Sequence, residues 1–227
     1  MKVVICCPTI VKPYHCLLES LAGAVPLMDA KGWDHNLIWN IGGPYISYNR
    51  AFMMRKAIDA RTDVVVFLDH DLSFSPESLI KLIESEGMLV AGTYRFKEEP
   101  EKYMGAIFST PSGFPVVRES DGAISASCFP AGFMKITREG IARFMLAFPE
   151  LQYIDEGTLN VDLFNHGVYK GVWYGEDYAL CRNWLERIGD IWIIPDLNIN
   201  HHTEEICYKG NFHQYLLRQP GGSEYHE

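Results

Sequence analysis

The sequence predicts an α/β fold with a mostly parallel, Rossmann-like central sheet, helices on both faces, and a small mixed or antiparallel extension in the C-terminal half. Three observations lead to this prediction. Residues 1–100 alternate strand and helix patterns in the order βαβαβαβ, which is typical of a doubly wound sheet. Residues 64–68 are apolar throughout, as suits a strand buried on both faces. After Tyr103, short apolar runs separated by Gly, Pro, Ser and Asp indicate strands in a different arrangement.

The elements of the N-terminal half follow from local patterns. Each strand is a short apolar run, and the helix patterns carry apolar side chains at helical spacing. Ser75, Pro76 and Glu77 form a helix start, with a capping side chain, a proline at the first helical position and an acid near the positive end of the dipole. The predicted strands are 3–7, 36–41, 64–68 and 88–94, and the predicted helices are 12–30, 47–60 and one that begins at Ser75.

The C-terminal half combines short strands with two clear helices. Leu180, Trp184 and Ile188 recur at a spacing of four, and Gly189 marks the end of their helix. From Gly210 we expect one or two more helical turns, and we expect Pro220–Gly222 to fray. The predicted strands are 106–109, 114–118, 124–129, 133–137 and 191–195, and the predicted helices are 137–148 and 178–188.

The composition narrows the classes of function. The chain has 227 residues and a formal net charge of −9, so no broad basic field is present to hold a nucleic acid. The apolar run at the start is too short for a signal sequence or a membrane span, and we expect a soluble, cytoplasmic protein. The six cysteines are scattered without a C-x-x-C spacing, which favours reduced, buried thiols over a zinc site.

The sequence Asp69-His70-Asp71 directly follows the most apolar predicted strand. In an open parallel sheet the ligand crevice lies beyond the carboxyl ends of the strands. Two carboxylates that leave a buried strand together repel each other unless a cation lies between them, and oxygen ligands favour Mg²⁺ or Mn²⁺. Taken alone, an Asp-x-Asp pattern is also typical of a solvated turn, so its position after the strand is what favours a metal site.

The order of the motifs is similar to that of GT-A glycosyltransferases, and closest in character to the family-2-like and Anp1-like enzymes, including small viral or phage members. The resemblance spans residues 3–212, and its specificity lies in the order of the motifs. These are C-P-T at the end of the first strand, Y-N-R-A opening a helix, V-V-V-F-L-D-H-D, A-G-F-M-K-I-T, G-E-D-Y, and a late His followed by Y-K-G.

The resemblance implies a set of residues around a nucleotide and a metal. Asp69 and Asp71 would bind the metal together with His202, although His201 is a second candidate because neighbouring side chains on an extended segment point to opposite faces. His70 belongs to the nucleotide region by position but is expected to point away as a structural residue. The residues implied at the nucleotide sugar are Thr9, Asn49, Arg50, Asp69, Gly132 and Lys209.

Two expectations concern charged residues in the first turns of helices. Arg50 is poorly placed for the helix dipole, so a phosphate or a carboxylate partner is expected for it. The resemblance implies that Asp177, or as second choice Glu176, deprotonates the acceptor hydroxyl. Dipole complementarity alone would also explain these two acids. Aromatic residues that are candidates to stack on a sugar are Tyr45, Tyr94, Tyr153, Trp173 and Tyr174.

Together these observations predict a metal-dependent transferase that moves a sugar from a UDP- or GDP-sugar to a hydroxyl-bearing acceptor such as a glycan, with Mn²⁺ or Mg²⁺. We expect one domain over 1–227, with a nucleotide-binding half (1–100), an acceptor and metal half (101–212) and a tail (213–227). One alternative is a Mg²⁺-dependent nucleotidyltransferase, which usually carries a Gly-rich basic loop after the first strand. The other is a glycan-binding module with a vestigial metal site.

Overall fold

A computed structural model describes residues 1–219, so the expectation for Pro220–Gly222 lies outside the described residues. The N-terminal half alternates strands and helices as predicted. Its elements are β1 (Lys2–Thr9), α1 (His15–Ala30), β2 (Asp34–Ile41), α2 (Ile46–Asp59), β3 (Val64–Leu68), β4 (Leu72–Phe74), α3 (Pro76–Glu84) and β5 (Leu89–Ala91).

The C-terminal half consists of short strands, two longer helices and a short final helix. Its strands are β6 (Ala106–Ile107), β7 (Ile124–Cys128), β8 (Phe133–Thr137), β9 (Gln152–Asp155), β10 (Thr158–Val161), β11 (Gly167–Tyr169), β12 (Val172–Tyr174), β13 (Ile191–Ile193), β14 (Ile199–His202) and β15 (Cys207–Tyr208). Its helices are α4 (Arg138–Ala147), a 3-10 turn (Pro149–Leu151), α5 (Glu176–Arg187) and α6 (Phe212–Leu217).

The central sheet has eight strands in the order β2-β1-β3-β8-β5-β13-β7-β6. The pairs β1·β2, β1·β3 and β5·β13 are parallel, while β8 is antiparallel to both β3 and β5, and β7 is antiparallel to β13 and β6. Most strands therefore run in one direction, which confirms the predicted fold class.

The antiparallel strands do not all lie where the sequence predicted them. Strand β8 does not extend the sheet at an edge but lies inside it, between β3 and β5. Residues 114–118 form isolated bridges instead of a strand, and the hairpins β9–β10 and β11–β12 were not predicted. These short hairpins carry several exposed apolar residues, so their sequences lack the clean alternation that identifies a half-buried strand.

The core lies on both faces of the sheet, and strand β3 shows how. Val64, Val66 and Leu68 pack toward α1 and α3, whereas Val65 and Phe67 pack toward α2, α4 and α5. Alternate side chains of a strand point to opposite faces, so a strand that is buried on both faces must be apolar at every position. This burial fixes the end of β3, where Asp69 begins.

A second, smaller sheet places a later segment beside that end. Its order is β15-β14-β4, with His201 opposite Leu72 and with the His202 amide donating to the Asp71 carbonyl at 2.9 Å. Because β4 starts one residue after Asp71, this pairing brings β14 next to the Asp69-His70-Asp71 segment.

Within residues 1–219, no helix is both long and apolar enough to cross a membrane. All six cysteines are free thiols; Cys6, Cys7, Cys128 and Cys181 are buried, Cys16 is partly exposed and Cys207 is exposed.

Candidate active site

Asp69 is held on several sides at the end of β3. Its amide donates to the Gly132 carbonyl at 2.9 Å. Its carboxylate accepts from Arg50 Nη2 at 2.9 Å and from the Tyr94 hydroxyl at 3.1 Å. A Cβ on Gly132 would lie 2.2 Å from Asp69 Oδ2 and from the Tyr94 oxygen, so only glycine leaves room for this carboxylate.

Arg50 is the buried cation behind the carboxylates. Its side chain, from the first turns of α2, is 1% exposed and donates to Asp69 and, through Nη1, to Glu176 Oε1 at 2.8 Å. Burial lowers the pKa of the guanidinium, but Asp69 and Glu176 outweigh it, and the net pKa is raised. The expected carboxylate partner is confirmed. The predicted approach of Arg50 to the nucleotide does not fit this burial, because both terminal nitrogens already bind protein carboxylates.

Asp71 faces a different set of partners. Lys97 Nζ lies 2.5 Å from Asp71 Oδ2, and His201 Nε2 lies 3.5 Å from the same oxygen. Burial raises the pKa of Asp71, but hydrogen bonds from His201 and Lys97 outweigh it and hold the pKa well below its usual value. Asp71 is therefore ionised at neutral pH, with the Lys97 ammonium group as its closest cation.

The structure places His201, and not His202, beside Asp71. His202 Nε2 lies 2.8 Å from the Ser73 hydroxyl and 3.7 Å from Cys207 Sγ, on the opposite side of β14. Burial is the main cause that lowers the His202 pKa. The two rings point to opposite sides of the strand, as predicted. The pairing of β14 with β4 sets the register that places His201, and not the preferred candidate His202, next to Asp71.

A cavity of about 200 Å³ adjoins this cluster. It brings together the ends of β1 and β3, the start of α2 and the late strand β14. Of the residues predicted at the nucleotide, Thr9, Asn49, Asp69 and His70 line it. The lining residues are Pro8, Thr9, Ile10, Gly43, Pro44, Ile46, Asn49, Asp69, His70, Asp71, Tyr94, Met104 and His201.

Two of these residues shape the cavity wall. Asn49 is buried and donates to the Gly43 carbonyl at 2.8 Å, which fixes the turn between β2 and α2. His70 packs edge-to-face on Tyr14 at 5.5 Å between ring centroids. The expectation that His70 points away from the site is wrong, because its ring also borders the cavity.

Lys209 lies elsewhere. It is exposed and borders a separate groove with Glu101, Asn198 and Arg218. The cation beside the carboxylates is instead Lys97. The local sequence around Lys97, K-E-E-P-E-K, resembles a solvated acidic loop and gives no signal of this contact.

The candidate sugar-stacking aromatics divide into two groups. Tyr94 is buried against Asp69 and His201 and offers no open face. Tyr174 packs under the Arg182 guanidinium at 4.5 Å, and Tyr153 is partly buried. Tyr45 and Trp173 are 69% and 67% exposed.

The two acids at the start of α5 differ in charge state. Glu176 is paired with Arg50. Asp177 forms no salt bridge within residues 1–219, and burial together with the neighbouring Glu176 charge raises its pKa to about 6. A carboxyl group with such a pKa can exchange a proton near neutral pH.

No protein-family profile matches the sequence, and no curated protein matches it. A solved structure of GalNAc-T7 with UDP, GalNAc and Mn²⁺ is similar over 88% of this chain, with a TM-score of 0.52 and 11% identity. The chain has a GT-A-like fold. The match covers 43% of the GalNAc-T7 chain, so this chain spans less than half the length of that protein, and at this identity the likeness concerns the GT-A-like fold alone.

Two further structures are less similar. One is a glycosyltransferase involved in the glycosylation of the major capsid of PBCV-1, with a TM-score of 0.35, 11% identity and coverage of 65% of each chain. The other is the inositol-1-phosphate CTP transferase from T. maritima, with a TM-score of 0.39, 9% identity and coverage of 84% of each chain.

Replacing Arg50 tests its role as the shared cation. Arg50→Met leaves Asp69 and Glu176 without their charge partner, and we expect a loss of about 3–5 kcal/mol in the free energy of unfolding. The matched control is Arg143→Ala, which breaks an exposed pair with Glu139 and should cost about 0.5 kcal/mol. Urea unfolding of both variants measures the difference, and equal losses would contradict a special role for Arg50.

Gly132→Ala tests the packing under Asp69. The added methyl group meets Asp69 Oδ2 and the Tyr94 oxygen at 2.2 Å, so the Asp69 carboxylate must shift. We expect a loss of about 1–3 kcal/mol in stability, measured by urea unfolding. A variant as stable as the parent would show that the site accommodates the methyl group.

Proposed function

We propose that the protein is a glycosyltransferase that moves a sugar from a nucleoside-diphosphate sugar to an acceptor hydroxyl. The observation that carries the proposal is the convergence of Asp69, Asp71 and His201 at one edge of a cavity that Thr9 and Asn49 also line. Carboxylates, an imidazole and a cleft at strand ends are the features that such a fold uses to hold a nucleotide. The GT-A-like fold supports the same assignment.

The donor set fits a divalent cation. Within residues 1–219, no three His, Cys, Asp or Glu side chains form a complete metal site, but Mg²⁺-type ions often use one or two protein ligands, with phosphates and water completing the shell. The Arg95 carbonyl lies 2.8 Å from His201 Nδ1, and a carbonyl can only accept, so Nδ1 donates this hydrogen bond. Nε2 is the ring nitrogen that faces Asp71, and it would bind a metal ion in place of its proton.

We therefore assign Asp71 and His201 as the residues that hold Mn²⁺ or Mg²⁺. We assign Asp69 as the carboxylate that faces the nucleotide, because it lines the cavity while Arg50 and Tyr94 hold its orientation. Such an ion, when bound, neutralises charge on the departing nucleoside diphosphate.

Asp177 is the proposed general base. Its raised pKa allows it to take a proton from an acceptor hydroxyl, and its neighbour Glu176 is less suited because Arg50 stabilises its charged form. Glu176 instead holds the start of α5 against Arg50, which positions Asp177.

Asp71→Asn tests the proposed function. We expect the parent protein to gain thermal stability from UDP or GDP only when Mn²⁺ is present, and the variant to lose this gain while keeping its fold. Asp196→Asn, at an exposed pair with Lys81, is the control and should behave like the parent. Stabilisation of the parent by free glycan alone would contradict the transferase and support a binding module.

Asp177→Asn tests the base. If Asp177 acts as carboxylate, kcat/KM should rise with pH through about 6 and level off above it, because the deprotonated form is the active one. The variant should lose activity at all pH values.

The free energy of unfolding should change with pH in the opposite direction to kcat/KM. Because the folded pKa of Asp177 is raised, its ionisation costs stability as pH rises from about 4 to about 6. At pH 8 Asp177→Asn should therefore be more stable than the parent, by about 1–2 kcal/mol. A pH profile that is flat through this range would argue against Asp177 as the base.

A further inference from the structure

Lys97 contacts the Asp71 oxygen that the proposed divalent cation would bind. Its ammonium group contacts Asp71 Oδ2, the oxygen that His201 Nε2 also faces. An ammonium group and a metal ion cannot both contact this oxygen closely, because two cations within a few ångströms in a partly buried site repel each other strongly. Lys97 and a metal ion therefore compete for Asp71.

Backbone contacts hold the base of the loop that carries Lys97, whereas the Lys97 side chain is partly exposed. The bridge between Arg95 and Tyr103 closes residues 96–102 into a loop, and the Phe96 amide donates to the Lys102 carbonyl at 3.0 Å. Arg95 further ties the loop to Glu99 at 2.7 Å. The Lys97 side chain is 30% exposed, and its flexible four-carbon stem can swing without opening the loop.

The two other cations that the sequence placed at the nucleotide are not available to bind a phosphate. Arg50 is 1% exposed and already paired with Asp69 and Glu176, so a phosphate cannot reach it. Lys209 borders another groove. Among the residues described, Lys97 is thus the cation paired with Asp71 that a metal ion at this carboxylate would release.

We propose that Lys97 holds the cation position of Asp71 in the unloaded protein, that a divalent ion displaces it, and that the released ammonium group then pairs with the diphosphate of the nucleotide. This inference rests on the proposed function. It makes Lys97 a binding residue with two successive partners, so that the metal binds Asp71 before the lysine can bind the diphosphate.

The first measurement is Mn²⁺ affinity without nucleotide, read from the electron paramagnetic resonance signal of free Mn²⁺. Lys97→Met removes the competitor, and we expect its dissociation constant for Mn²⁺ to fall about tenfold or more. Lys102→Met, on the same loop and paired with Glu98 at 3.8 Å, removes the same charge without freeing Asp71 and should stay within about twofold of the parent. A tenfold change in the dissociation constant corresponds to about 1.4 kcal/mol of binding free energy.

The second measurement is the affinity for UDP and for GDP at saturating Mn²⁺, by isothermal titration calorimetry. Lys97→Met should bind the preferred nucleotide about tenfold more weakly than the parent, and Lys97→Arg should restore most of the loss because it keeps the charge. The circular dichroism spectra of all variants should match, since Lys97 is on the surface of the loop.

The outcomes separate this inference from the proposed function. Mn²⁺ binding to the parent with unchanged or weaker binding to Lys97→Met overturns the competition but leaves the transferase standing. If Lys97→Met binds the nucleotide as tightly as the parent, the proposed contact of Lys97 with the diphosphate is overturned. If neither protein binds Mn²⁺, both the competition and the metal in the proposed function are overturned.

Discussion

The interaction on which the site depends is the contact of one buried guanidinium with two carboxylates. Arg50 comes from α2, Asp69 from the end of β3 and Glu176 from the start of α5, so three elements that are far apart in sequence meet at one charge. A buried arginine is stable only when its charge is matched. Both carboxylates pair with this one guanidinium, and the three elements therefore hold one another in place.

This sharing divides the four acids of the site into two pairs. Asp69 and Glu176 are neutralised from behind by Arg50 and serve to position the strand end and the helix start. In the proposed function Asp71 binds the metal ion, Asp177 faces the acceptor, and Asp69 also faces the nucleotide. The pKa values of Asp71 and Asp177 move in opposite directions, below normal for Asp71 and up to about 6 for Asp177, because Asp71 faces cations while Asp177 is buried beside another acid. Acids whose environments separate their pKa values are suited to different tasks, and the tasks proposed for these two are binding a cation and moving a proton.

The sequence predicted what local patterns determine. Residues 64–68 are apolar at every position, and β3 has those bounds; Ser75 caps α3 by accepting from the Ser78 amide, as its position before Pro76 indicates. What the sequence could not predict is set by pairing between distant segments. The choice of His201 over His202 depends on the register of β14 against β4, and Lys97 reaches Asp71 from a loop whose own composition is that of a solvated surface. The close contact of Gly132 with Asp69 has the same origin, since β8 inserts beside β3 and places this glycine against the Asp69 carboxylate.

The net charge of the chain bears on how the proposed site could bind an anionic ligand. A protein with a net charge of −9 repels a diphosphate at long range, and the carboxylates at the end of β3 repel it at short range. Arg50 does not offset this repulsion, because its charge is already paired with Asp69 and Glu176. In the proposed mechanism a metal ion on Asp71 and the lysine that it releases would supply the positive charge that a diphosphate needs. In the structure Lys97 keeps Asp71 from being an unpaired, partly buried charge, so the same lysine would stabilise the site when it is unloaded and bind the anionic donor when it is loaded.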